Sequence, residues 1–118
     1  MKKILIAEDD DNLRLLYERS FIDDGFSVLL AANGREAVKL TKSENPDIVI
    51  MDIRMPGMDG LAAMNEIKSY AKKIPVIINT AYPLYQDDFT TWPAAAYILK
   101  SADLSSLKTA VNEALSCV

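Results

Sequence analysis

Histidine is absent from this 118-residue sequence, and its only cysteine, Cys117, stands beside the carboxyl terminus. The first absence excludes a Ser-His-Asp triad, a Cys-His pair and any histidine metal site. Chemistry must therefore rest on carboxylates, hydroxyls, Lys, Arg or backbone groups. The second excludes an internal disulfide and leaves Cys117 as an ordinary surface thiol. No apolar run is long enough to span a bilayer. The start, Met1-Lys2-Lys3-Ile4, is basic and then apolar, but the run reaches only Ala7 before Glu8-Asp9-Asp10, too short for a secretory leader. A net charge of -4 argues against gripping a nucleic-acid backbone, which needs clustered Lys and Arg. These absences lead us to expect a cytoplasmic protein without membrane insertion or direct nucleic-acid contact.

What is present is globular material, 50% hydrophobic and 25% charged. That length suits one domain over residues 1–118 with its own core. Lys2 to Ala7 reads as a buried strand. Asp11 to Asp24 follows as a helix with Leu13, Leu16, Tyr17 and Phe21 at helical spacing, and Gly25 stops it. Phe26 to Ala32 is a second strand. Asn33-Gly34-Arg35-Glu36 resembles a capping box opening a helix to about Ser43, with Ala37 and Leu40 inward. After Pro46, the apolar run Ile48-Val49-Ile50-Met51 is continuous rather than alternating, as in a strand covered on both faces, and Asp52 stands exposed at its exit. Asp59 caps a helix carrying Leu61, Met64 and Ile67. Pro75 to Thr80 and Ala95 to Lys100 give two more strands, and Asp103 to Ser116 a last helix with Leu104, Leu107, Val111 and Leu115 on one face.

Strands alternating with helices imply an α/β domain, a doubly wound parallel sheet with helices on both faces. Ligands of such sheets lie beyond the carboxyl ends of the strands, where the strand order reverses. If the order is 2-1-3-4-5, the first and third strands are neighbours, and Glu8, Asp9 and Asp52 converge. Carboxylates cannot crowd together without a cation or protonation. An oxygen-only set favours a hard ion, Mg²⁺ or Mn²⁺, which commonly binds phosphoryl oxygens too. Thr80 can donate to such an oxygen, and Lys100 can neutralise charge around it.

These residues together resemble the receiver domain of two-component response regulators, over essentially the whole chain. The pattern comprises the acidic pair in LIAEDD, the loop Asp52-Ile-Arg-Met-Pro-Gly-Met-Asp-Gly60, Thr80-Ala81 after the fourth strand and Lys100 after the fifth. The resemblance implies a flavodoxin-like three-layer α/β/α fold. It also implies that Asp52 accepts a phosphoryl group from a phosphohistidine on a sensor histidine kinase or phosphotransfer protein. Mg²⁺ would be held by Glu8, Asp9, Asp52 and the backbone carbonyl of Arg54, with Thr80 and Tyr97 as the moving parts of a switch. Arg54 and Tyr82, two residues after the phosphoacceptor and the threonine, would flank the path of hydrolytic water and slow loss of the phosphoryl group. By that implication the protein is a phosphoacceptor rather than a turnover enzyme.

Two departures stand out. Pro83 and Pro93 bracket only nine residues, Leu84 to Trp92, which contain Thr90 and Thr91. A short or distorted helix is expected there, with Tyr85, Phe89 and Trp92 as candidate contacts. Ser101 replaces the proline that usually follows the lysine, so a trans Lys100–Ser101 peptide is expected. Two other readings compete: an aspartyl-phosphate phosphatase, which typically wants an acidic residue where Arg54 stands, and an interaction module that does not use phosphorylation. No fused output domain is expected, so the signal would pass to a downstream protein effector.

Overall fold

A computed structural model of the chain describes residues 1–81 and 93–116. The expectations for Tyr82, for the helix between Pro83 and Pro93, for Tyr85, Phe89 and Trp92, and for Cys117 concern positions outside those residues. Within them, strands β1 (Lys3–Ala7), β2 (Ser27–Ala31), β3 (Ile48–Met51), β4 (Val76–Thr80) and β5 (Ala96–Leu99) alternate with helices α1 (Asp11–Asp23), α2 (Gly34–Glu44) and α3 (Gly60–Tyr70). A further helix, α4 (Ser105–Ser116), follows β5. All strands pair in parallel in the order β2-β1-β3-β4-β5, so the chain reverses its winding between β1 and β3.

The inner strands β1, β3 and β4 are buried on both faces, as parallel packing requires, whereas the edge strands β2 and β5 are largely half-covered and Leu99 is 49% exposed. Along β3 the side chains alternate between two cores: Val49 and Met51 join one with α2 and α3 residues, while Ile48 and Ile50 join the other with Tyr17, Phe21, Leu107 and Val111. A fully buried side chain of this size contributes about 1.5–3 kcal/mol, so this double layer is the main source of stability. Leu16 corrects the expected inward set of α1: it is 47% exposed, because Tyr17 and Phe21 take the sheet-facing stripe and its neighbour in sequence points elsewhere. Phe26 lies just before β2 and meets Phe21 edge-on, with centroids 5.6 Å apart.

Local signals place the strand exits. Asp10 accepts from the Asn12 and Leu13 amides and caps α1, which frees Glu8 and Asp9 from that task. Gly25 (φ 95°) ends the helix. Asn33 and Asp59 cap α2 and α3. No cis peptide occurs among the described residues, so Lys100–Ser101 is trans as expected.

The turn after β3 admits no side chain at Gly60. A Cβ there would lie 1.8 Å from the Asp52 carbonyl oxygen and 2.8 Å from the Ile53 Cα. Both are backbone atoms, so relief would have to move the segment that carries Asp52.

Candidate functional site

Parallel pairing delivers every strand exit to one edge. Glu8 follows β1 and donates its amide to the Ala31 carbonyl (2.9 Å), and Asp52 follows β3 with its amide on Ala7 (3.0 Å). Thr80 ends β4, and its carbonyl accepts the Lys100 amide at 2.8 Å. The predicted Glu8, Asp9, Asp52 and Lys100 are thereby brought together, with Thr80 held beside them through that bond. Carboxylate oxygens of Glu8, Asp9 and Asp52 all lie within 4.8 Å of one another. Lys100 Nζ sits 2.6 Å from Glu8 Oε1 and 3.1 Å from Asp52 Oδ2. A cleft of about 340 Å³ opens here, lined by Glu8, Asp9, Asp10, Leu13, Asp52, Arg54, Ala81 and Lys100.

One expectation is corrected. Asp52 is 4% exposed rather than standing open at its strand end, because the Lys100 ammonium and the adjoining strand exits close over it. Glu8 is buried more deeply still, and only Asp9 of the three is exposed. Burial pushes the Glu8 carboxyl above its ordinary value, against the opposing pull of Lys100 and the Asp10 amide. Burial would also lower Lys100, but Glu8 and Asp52 outweigh it and hold the ammonium above its ordinary value.

The donor set suits a divalent cation. Three carboxylates against one ammonium leave two uncompensated negative charges when all are ionised. Among the described residues Asp52 Oδ1 is a buried oxygen without a hydrogen-bond donor, and Glu8 Oε1 meets only the Lys100 ammonium. Orphaned acceptors of this kind are costly, and a hard ion with oxygen preference satisfies them. Arg54 lies at the exposed rim of the cleft; Tyr97 is half-buried, pairs with Ile78 across the β4–β5 ladder and packs on the α2–α3 core.

Sequence reasoning missed three residues. Arg14 Nη1 donates to the Glu8 carbonyl at 2.8 Å, and Asn79 Nδ2 donates to Tyr17 Oη at 3.1 Å. Asn79 was the available signal, an amide within the apolar stretch PVIINT.

Similarity to known proteins agrees with this geometry. Residues 4–112 match the family described as the response regulator receiver domain. The chain is 39% identical over 117 residues to regulatory protein AtoC of Escherichia coli, covering 98% of this chain but 25% of that protein. It is 33% identical to sporulation initiation phosphotransferase F of Bacillus subtilis, covering 97% of this chain and 94% of that one. Among solved structures, the response regulator TrrA of Thermotoga maritima, in complex with Mg²⁺ and BeF, superposes with a TM-score of 0.91 at 38% identity, covering 97% of this chain and 99% of that chain. TrrA has also been solved with the histidine kinase ThkA. A carboxylate cluster facing a lysine at the exits of a 2-1-3-4-5 sheet, found in a sequence with these relatives, makes this chain a member of the response regulator receiver domain family.

Proposed function

We propose that Asp52 is the phosphoacceptor of a two-component pathway. The observation that carries this reading is the juxtaposition of Glu8, Asp9 and Asp52 with Lys100 at the strand exits. An Asp52 oxygen attacks phosphorus of a phosphohistidine on a sensor kinase or phosphotransfer protein. The new O–P bond forms as the P–N bond breaks, and its electron pair stays with the imidazole nitrogen. Lys100 exchanges its carboxylate partners for a phosphoryl oxygen, and Thr80 donates a hydrogen bond to another. Glu8, Asp9, Asp52 and the Arg54 carbonyl would hold Mg²⁺, which neutralises the charge gathered on the phosphoryl oxygens. A kinase partner is supported by the solved complex of TrrA with ThkA, the ion by the TrrA complex with Mg²⁺ and BeF.

The finer parts of the reading follow from that site. Thr80 and Tyr97 form the switch that alters a protein-binding face, so the signal leaves through a protein effector or is relayed onward. Arg54, at the rim, covers the phosphoryl group and slows its hydrolysis, and Tyr82, two residues after Thr80 in the sequence, is assigned the same role. The chain acts as a cytoplasmic receiver, and no helix among the described residues is long and apolar enough to cross a membrane.

Incubation with acetyl phosphate, or with beryllofluoride and Mg²⁺, separates the readings. Stoichiometric capture that Asp52→Asn abolishes is expected; turnover of varied phosphomonoesters would instead indicate a phosphatase, and no binding an inert interaction module. Faster loss of label in Arg54→Asn than in the parent is expected if the guanidinium shields the phosphoryl group.

A further inference from the structure

Beneath the acidic cluster lies a polar pair that phosphoryl transfer itself does not use. Asn79 immediately precedes Thr80 in β4 and is 3% exposed; Tyr17 in α1 is 2% exposed. Their hydrogen bond, 3.1 Å long, joins residues 62 apart in the chain. Tyr17 belongs to a core that is otherwise apolar and mostly aliphatic, with Ile4, Ile6, Ile48, Ile50 and Ile77 among its members. An apolar pair of similar shape is nearly neutral for stability at such a place, so folding alone does not account for an amide and a phenol there.

Their connections account for them better. Strand alternation sends Ile77 to the α1 side and Ile78 to the other, and so places Asn79 towards α1 while Thr80 takes the opposite side. Tyr17 is three residues after Arg14 and shares its helix face. Arg14 holds the Glu8 carbonyl at 2.8 Å, and the Thr80 carbonyl holds the Lys100 amide at 2.8 Å. A single face of α1 therefore grips the acidic loop at one point and, through Asn79, the β4 end at another. Burial raises the Tyr17 phenol above its ordinary value, with the Asn79 hydrogen bond opposing it.

We infer that Tyr17 and Asn79 are positioning residues that set the spacing between the carboxylate side of the site, Glu8, Asp9 and Asp52, and its Thr80–Lys100 side. This rests on the phosphoacceptor reading, because only a phosphoryl group needs both sides at once. A divalent cation alone meets the carboxylates; beryllofluoride on Asp52 must also meet Thr80 and Lys100. The pair should thus affect the two ligands unequally.

The test compares the full chain with Tyr17→Phe/Asn79→Leu, which replaces the polar pair by an apolar one. Calorimetric titration gives Mg²⁺ affinity, ¹⁹F NMR gives beryllofluoride affinity, and thermal melting reports the fold. The double variant should melt as the parent does and bind Mg²⁺ within about twofold of it, while beryllofluoride capture weakens roughly tenfold, the loss expected for about one hydrogen bond's worth of alignment. Equal affinities for both ligands in variant and parent would overturn the inference, as would equal weakening of both, which is the signature of a merely looser fold. If the double substitution does not fold, Tyr17→Phe alone is read by the same ratio of affinities. A parent that captures no beryllofluoride overturns the phosphoacceptor reading and this inference with it, whereas a capturing parent with an unchanged ratio in the variant overturns the inference only.

Discussion

At the amino ends of the strands, charge stays near water: Lys3 Nζ lies 3.8 Å from a Glu44 carboxylate oxygen, both side chains are more than a third exposed, and the Lys3 amide is held by Asp47 at the surface. At the carboxyl ends, Glu8, Asp52, Asn79 and Thr80 are each less than 5% exposed. The same strands carry both ends, and the same aliphatic layers lie between them. The difference shows where this fold tolerates groups that oppose folding. Two carboxylates are taken out of water beside a third, with one ammonium between the buried two. That arrangement costs stability in the absence of a divalent ion, and it leaves the oxygens ready to receive one.

Breaking the carboxyl end should therefore matter most. Gly60→Ala forces a Cβ onto the Asp52 carbonyl, and it should destabilise by about 3 kcal/mol or more in urea unfolding while abolishing beryllofluoride capture. Lys100→Met removes the cation between two buried carboxylates and should cost about 3 kcal/mol without divalent ions. Millimolar Mg²⁺ should return more stability to that variant than to the parent. Lower pH should also help it. The folded-state value of Glu8 is raised, so the stability it contributes is present below its unfolded value and is lost as pH rises through the folded one. Moving from neutral pH down into that window should shrink the gap between variant and parent, as urea midpoints across pH would show.

Asp52→Asn acts in the opposite direction. It should stabilise the ion-free protein by about 1 kcal/mol through relief of carboxylate repulsion, while capture is lost. At the other end of the sheet, Lys3→Ala should change unfolding free energy by about 0.5 kcal/mol or less, since the Glu44 pair is exposed. If that substitution costs as much as Lys100→Met, the contrast between the two ends does not hold.

Much of this contrast was legible in the sequence. Continuous apolar strands that stop at Glu8, Asp52 and Thr80 dictate the two-sided burial of β1, β3 and β4, and Lys100, just after β5, joins those exits at the common edge. Asp10, Asn33 and Asp59 announce the helix starts by their capping chemistry. What was not legible depends on side chains meeting across distant segments. The burial of Asp52 arises because Lys100, just after β5, reaches over it, and no local pattern around Asp52 encodes that reach. Helical spacing admitted Leu16 to the core of α1, but the sheet has room for the Tyr17–Phe21 stripe only. The Tyr17–Asn79 bond joins two positions that each look like ordinary core sites when read alone.

The Lys100 contact has a further consequence for how tightly the site takes an ion. An ammonium on the same chain is a competitor that dilution cannot remove, present beside the carboxylates at an effective concentration of order millimolar or above. An affinity measured for a free divalent ion is then the outcome of an exchange, in which Lys100 must release Glu8 and Asp52. The ammonium so displaced is left beside the position that a phosphoryl group on Asp52 would occupy. Arrival of the ion thereby arms the lysine, and occupancy by one ligand prepares the receptor for the other.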